Sequence, residues 1–178
     1  MVAATEGELD FVDGVETLCC GIGPVEAALA TARRLTARKP DAVVHIGIAG
    51  ATELEPASLV LGSESIYCDV IDPASRVPRV DRAEPDADLL AAARAALPEA
   101  HVLPIATSAR VGGGSRYRVE AMEGFGVLRA AALAGVPAIE LRAISNPPEE
   151  SDRDRWRVAE AVEALRVAVP QLLEALRA

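Results

Sequence analysis

Short apolar runs alternate with helical periodicity along most of the chain, and the alternation sets the elements. Met1–Thr5 predicts a brief first strand, and Val15–Cys20 a second. The second run ends in Gly21-Ile22-Gly23-Pro24, a turn that leaves proline at the first helical position. From there Val25, Ala28, Leu29, Ala32 and Leu35 share one helical face. Arg33, Arg34, Arg38 and Lys39 gather toward the end of that helix, where cations complement its dipole. Pro40-Asp41 stops it, and Ala42–Ile48 reads as a nearly continuous apolar strand closed by Ala49-Gly50. A strand that is apolar on both faces is covered on both faces, so this strand–helix–strand unit predicts a parallel sheet flanked by helices.

The rest of the chain continues in the same way. Leu59–Val70, His101–Thr107 and Pro137–Ile144 are further strands. An Ala-rich helix is expected over 86–97 and another over Glu123–Leu133, ending at Gly135. A Gly-rich loop runs from Ser108 to Arg118, with Gly112-Gly113-Gly114-Ser115 as a mobile stretch near a pocket. An acidic loop follows the last strand and leads to a C-terminal helix that Pro170 is expected to break. No internal repeat, linker or low-complexity tract interrupts the pattern, so residues 1–178 are read as a single α/β domain.

Composition narrows the function classes. The chain is 51% hydrophobic but only 3% aromatic, so the core is built from small aliphatic side chains. The net charge is −9, and the longest cationic runs are the pairs Arg33-Arg34 and Arg38-Lys39. A polyanion needs a basic face, so nucleic acid is excluded as a partner, while small ligands remain open. Cys19, Cys20 and Cys68 form no disulfide framework and read as reduced thiols. No apolar run has membrane-spanning length and no signal-peptide pattern opens the chain; the expectation is a cytoplasmic protein without membrane contact.

Several familiar chemistries fail on inspection. Gly21-Ile22-Gly23 lacks the third glycine of a dinucleotide fingerprint, and Glu26 stands there, where it repels a pyrophosphate. The Gly112–Ser115 stretch lacks the Lys-Ser/Thr of a P-loop. His45 and His101 have no metal-ligand spacing, so no metal is expected, and no cofactor. What remains is a set of polar residues at strand ends, where parallel sheets bind ligands. They are Glu6 and Glu8 after the first strand, Glu123 at the start of a helix, and Arg142, Ser145 and Asn146 on and after the 137–144 strand. Each also has a plain structural reading: Glu8 as a loop acid, Glu123 as a first-turn acid, Asn146 as a turn residue before Pro147-Pro148. Arg142 in an apolar strand demands a partner, and Glu140 shares its face by the two-residue period.

Six ordered pieces carry a resemblance: Ala3-Ala4-Thr5-Glu6-Gly7-Glu8, Gly21-Ile22-Gly23-Pro24, Gly47-Ile48-Ala49-Gly50, Ser63-Glu64-Ser65-Ile66-Tyr67, Met122-Glu123-Gly124 and Arg142-Ala143-Ile144-Ser145-Asn146. Together they resemble the nucleoside phosphorylase/nucleosidase family, and most of all its futalosine hydrolase branch, enzymes of an alternative menaquinone pathway. The match is good over 1–70 and 119–178 and poor over 71–118, where the chain is shorter than typical members. The resemblance implies a three-layer αβα fold with a central, mostly parallel mixed sheet, and cleavage of the N-glycosidic bond of a purine nucleoside. It implies Glu8 as general base to the attacking water, Arg142 positioning that water, and Glu123 accepting the ribose hydroxyls. Met122 lines the sugar, Asn146 meets the purine edge, and Phe125 or Tyr117 is the aromatic available to the base. Asn146, where adenosine-type nucleosidases carry aspartate, favours a hypoxanthine base. Ile48, where relatives place a small hydroxyl, favours water over phosphate as nucleophile, with Arg110, Arg116 and Arg118 still to be placed. A methylthioadenosine/S-adenosylhomocysteine nucleosidase, a catalytically weakened nucleoside-binding homologue and a phosphorylase are the alternatives. The family implies a homodimer or larger homo-oligomer.

Overall fold

β3 (Val43–Ala51) and β8 (Ala138–Asn146) run side by side in parallel at the centre of the fold, pairing from Val43 with Ala138 up to Gly50 with Asn146. The computed structural model describes residues 1–72, 74, 76–112 and 114–177; Gly113, in the expected mobile stretch, lies outside them. Around the central pair stand β1 (Val2–Ala3), β2 (Leu18–Cys19), β4 (Leu59–Tyr67), β5 (Arg82–Ala83), β6 (His101–Thr107) and β7 (Val119–Ala121). Four helices complete the fold: α1 (Pro24–Ala37), α2 (Ala87–Ala96), α3 (Gly124–Ala134) and α4 (Val158–Arg177). Pairings β3–β7, β4–β5 and β4–β8 are antiparallel and the other pairings parallel, so the sheet is mixed and mostly parallel.

Strand alternation assigns the two faces. Val44, Ile46, Leu141 and Ala143 point into a core shared with α2 and with Ala161, Leu165, Ala168 and Leu172 of α4. A second core lies under α1 and α3, built from Ala27, Leu35, Val127, Leu128 and Ala131. These are the three layers. One feature that periodicity did not reveal is closure: β3 pairs β8, β8 pairs β4, β4 pairs β6, β6 pairs β7, and β7 returns to β3. A third apolar cluster takes residues from each of these five strands, including Val60, Ile105, Val119 and Ile144. β7 makes the closure possible, and at three residues it is too short to carry a period of its own.

Four expectations are corrected. The second strand is only Leu18–Cys19, and the Leu59–Val70 run stops pairing at Tyr67. The buried face of α1 is Ala27, Thr31 and Leu35, while Val25 and Leu29 are 65% and 63% exposed. Ala27 and Thr31 suit the close packing of α1 on α3, Leu35 is buried with them, and Val25 and Leu29 are left outside. Pro170 does not break α4. It lies on the exposed side of the helix, where water can take up the carbonyl it leaves unpaired. The stripe 161, 165, 168, 169 and 172 stays buried across it, and that packing offsets a helix-interior proline cost of about 3 kcal/mol. α2 begins as expected, with the Asp86 carboxylate accepting from the backbone N–H groups of Asp88 and Leu89 at 3.1 and 3.0 Å.

Candidate active site

The ends of β3, β7 and β8 and the turn after β1 open into a cavity of about 390 Å³. Glu8, Ile48, Met122, Glu123 and Asn146 all line it, so five of the residues singled out by motif order meet in one place. Glu8 arrives on a short 3₁₀ turn, Glu6–Glu8. Its Oε1 accepts from Ile48 N–H at 3.1 Å, and its Oε2 accepts from Thr5 N–H at 3.0 Å and Thr5 Oγ1 at 2.8 Å. Three donors on two oxygens hold the carboxylate in one orientation at the cavity wall.

Glu123 is the residue before α3. Its Oε1 accepts from Gly23 N–H at 3.0 Å, which ties the Gly21–Pro24 turn to this site. Burial pushes the Glu123 carboxyl above the usual range; Arg142 and the Gly23 N–H pull it back, and the negative charges of Glu8 and Glu140 add to the rise.

Arg142 does not line the cavity. It is 1% exposed and lies beneath the floor. Its Nε donates to Glu140 at 2.8 Å, its Nη1 to Ile48 O at 3.4 Å, and its Nη2 lies 3.6 Å from Glu123. Burial works against the guanidinium's charge, but the combined field of Glu140, Glu123 and Glu8 prevails and holds its pKa above the usual value. Arg142, expected to help position the attacking water, touches the cavity through the carboxylates above it. Gly47 makes the arrangement possible. The Arg142 Nη1 and Glu8 Oε1 atoms pack over its α-carbon, and a Cβ there would meet the Glu8 oxygen at 2.8 Å and the guanidinium closer still.

Asn146 faces the cavity with part of its amide in use. Its Oδ1 accepts from Ser145 Oγ at 2.6 Å and its Nδ2 donates to Pro147 O at 2.8 Å. One amide proton and one carbonyl lone pair remain for a ligand. Phe125 is not brought to the site. Two residues past the Glu123 cap, it turns to the α1–α3 side and stacks on Tyr67 with ring centroids 5.5 Å apart. Tyr117 does not line the cavity either, and the aromatic that does is Trp156. Its indole donates to Glu150 O at 2.9 Å and carries the Arg153 guanidinium over its ring. Nothing in the spacing pointed to Trp156; its being the sole tryptophan, just after the acidic loop, was the available signal. Arg110 lines the rim, whereas Arg118 binds Thr52 O and Glu53 O and Arg116 covers Tyr117. Among the described residues, no group of three His, Cys, Asp or Glu side chains could hold a metal ion.

The chain belongs to the phosphorylase superfamily, whose family model matches residues 12–178. It is 37% identical over 194 aligned positions to the futalosine hydrolase of Streptomyces coelicolor, a match covering 92% of this chain and 80% of that protein. The futalosine hydrolase of Thermus thermophilus is 47% identical over 55 residues, 31% of this chain and 24% of that one. Among solved structures, a futalosine hydrolase mutant of Helicobacter pylori superposes with a TM-score of 0.86 at 20% identity, covering 97% of this chain and 96% of that one. The 5'-methylthioadenosine/S-adenosylhomocysteine nucleosidase of Neisseria meningitidis, in complex with methylthio-immucillin-A, superposes at 0.84 with 22% identity, covering 98% and 97%.

Proposed function

We propose that this protein hydrolyses the N-glycosidic bond of the purine nucleoside futalosine, releasing hypoxanthine and dehypoxanthinyl futalosine for menaquinone biosynthesis. The observation that carries the reading is the pair of oriented carboxylates, Glu8 and Glu123, on one cavity wall above Arg142. Glycosidic cleavage builds positive charge on the ribose as the base departs. Glu123 accepts the ribose hydroxyls and places negative charge beside that centre. Glu8 takes the proton of the attacking water. Asn146 offers its free proton and lone pair to the purine edge, and Met122 packs on the sugar.

Water rather than phosphate is favoured by the C-terminal part of β3. Ile48 presents an apolar side chain to the cavity, and its backbone N–H is already given to Glu8. Neither its side chain nor its N–H is therefore left to hold an anion. The overall match to the Streptomyces coelicolor enzyme supports futalosine as the substrate. The test is a panel of futalosine, methylthioadenosine and inosine, read by released base with and without phosphate. Phosphate-independent hypoxanthine release from futalosine is expected. Adenine release from methylthioadenosine with futalosine untouched would reassign the substrate, and phosphate dependence would reassign the reaction.

In this reading residues 1–178 work as one domain, and a second copy of the chain covers the exposed apolar stripe Ile22, Val25 and Leu29 along α1. Val25 and Leu29 on α1, with Ile22 in the turn before it, are large exposed apolar side chains suited to burial against a partner. Ile22 belongs both to the stripe and to the cavity lining, so the partner would close the mouth of the site. Sedimentation analysis should return a dimer for the wild type and a monomer for Val25→Glu with Leu29→Glu; an unchanged mass for that variant would remove the stripe from the interface. The free thiols Cys19, Cys20 and Cys68 support a cytoplasmic location.

A further inference from the structure

Glu140 and His45 are buried titratable groups that touch Arg142 and that the reaction above does not use. Both are fully buried, on neighbouring strands and in register with one another. The Glu140 Oε2 accepts from Ser65 Oγ and its Oε1 accepts from Arg142 Nε at 2.8 Å. α3 comes so close that a Cβ on Gly124 would collide with this carboxylate. His45 Nδ1–H donates to Val2 O at 3.2 Å, which leaves Nε2 as an acceptor for Arg142 Nη2 at 2.5 Å. Burial and the neighbouring guanidinium keep the imidazole neutral, as that acceptor role requires.

The distances around Arg142 show which partner prevails. The guanidinium is 2.8 Å from Glu140 but 3.6 Å from Glu123. Glu123 is therefore not closed into a tight ion pair, although it is the carboxylate that faces the cavity. We infer that Glu140, with His45, is a positioning residue: it anchors Arg142 beneath the floor and 3.6 Å from Glu123 Oε2, leaving that oxygen free to bind the ligand's hydroxyls. The inference rests on the role given to Glu123 above. Without the anchor, Arg142 would swing onto Glu123 and compete with the ribose for the same lone pairs.

The groups that face Glu123 fix the sign of the effect. Arg142 and Glu140 come from β8, Glu8 from the turn after β1, His45 from β3 and Cys20 from the end of β2. His45 is neutral, and the Cys20 thiol, pushed up to about 12 by burial and by Glu123, is neutral as well. Glu120 of β7 is engaged with Ser115 N–H at 2.6 Å. Removing the charge of Glu140 takes away a repulsive neighbour and frees Arg142, and both changes favour ionised Glu123. In Glu140→Gln the acid limb of the kcat/KM profile should move down by about one pH unit. KM for the nucleoside should rise about tenfold as the ion pair tightens. Glu140→Asp, which keeps the charge, should restore the limb and most of the KM.

Glu123→Gln is the control for the underlying reading. If it leaves KM and the acid limb as in wild type, that reading fails and this inference falls with it. If Glu123→Gln raises KM while Glu140→Gln moves neither quantity, the positioning role alone is overturned. A Glu140→Gln enzyme that only melts earlier or turns over more slowly, with its limb in place, overturns it equally. Should that variant not fold, His45→Leu removes the other anchor at similar volume, and the same downward shift is expected; an unshifted limb there is decisive against the proposal.

Discussion

Gly47→Ala adds one methyl group at the point where Glu8 and Arg142 come together. The added carbon would lie 2.8 Å from Glu8 Oε1 and still nearer the guanidinium. Neither side chain can retreat freely: Glu8 is held by Thr5 and Ile48, and Arg142 by Glu140 and His45. The least costly relief is for Glu8 to give up its bond to Ile48 N–H. A hydrogen bond to a charged group contributes about 1.5–3 kcal/mol, so a carboxylate released from it should lower kcat/KM roughly 10- to 150-fold. Overpacking costs a further 1–3 kcal/mol or so of stability, which for a chain of this size lowers Tm by about 2–12 °C. Hypoxanthine release from futalosine and a melting curve read the two effects separately. A Gly47→Ala enzyme with wild-type kcat/KM and Tm would refute the account of the close approach and of Glu8 as a positioned base.

Glu8→Gln keeps the shape of the site but removes the proton acceptor, so kcat should fall by about 10²–10⁴ with nucleoside binding retained in calorimetry; turnover near wild type would remove Glu8 from the chemistry. Glu123 has a carboxyl raised by burial, so its ionisation opposes folding as pH climbs through its folded-state pKa. Glu123→Gln should therefore melt higher than wild type at pH 7–8, with the gap closing below about pH 4, where both forms are neutral. A gap that widens on acidification would reverse the sign argued here. Phe125→Ala should lower Tm through the lost Tyr67 stack while leaving KM near wild type, whereas Trp156→Ala should raise KM; the opposite split would restore Phe125 as the ligand contact.

Legibility in the sequence followed what each element has to satisfy. β3 and β8 were readable because central strands buried on both faces must be apolar for most of their length. α1 was readable as a helix but not for its buried face. Periodicity finds an apolar stripe without saying what covers it, and Val25 and Leu29 belong to the uncovered stripe. Pro170 misled for a related reason: its local cost is real, but side-chain packing on either side of it exceeds that cost. β7 and the closure it completes depend on pairing between distant segments, which a local pattern does not encode.

The site divides along the same line. Glu8, Ile48, Met122, Glu123 and Asn146 were found because motif order places them at strand ends, and the fold brings those ends together. Trp156 and Arg153 were missed because loops deliver them, and loop paths follow contacts such as the Trp156 indole on Glu150 O. The hardest part to read was the polar face hidden inside two apolar strands. Three carboxylates, Glu8, Glu123 and Glu140, share one arginine there, so at most one of them can be fully compensated. Sequence spacing offered Glu140 as a partner for Arg142, on the same strand face. Geometry gives it a consequence: because Glu140 takes the short contact, Glu123 keeps a long one, and the charge left incompletely neutralised is the one that faces the cavity. A site that must stabilise a developing cation is served by that imbalance, since a carboxylate locked to arginine at 2.8 Å would have little field left for the ribose.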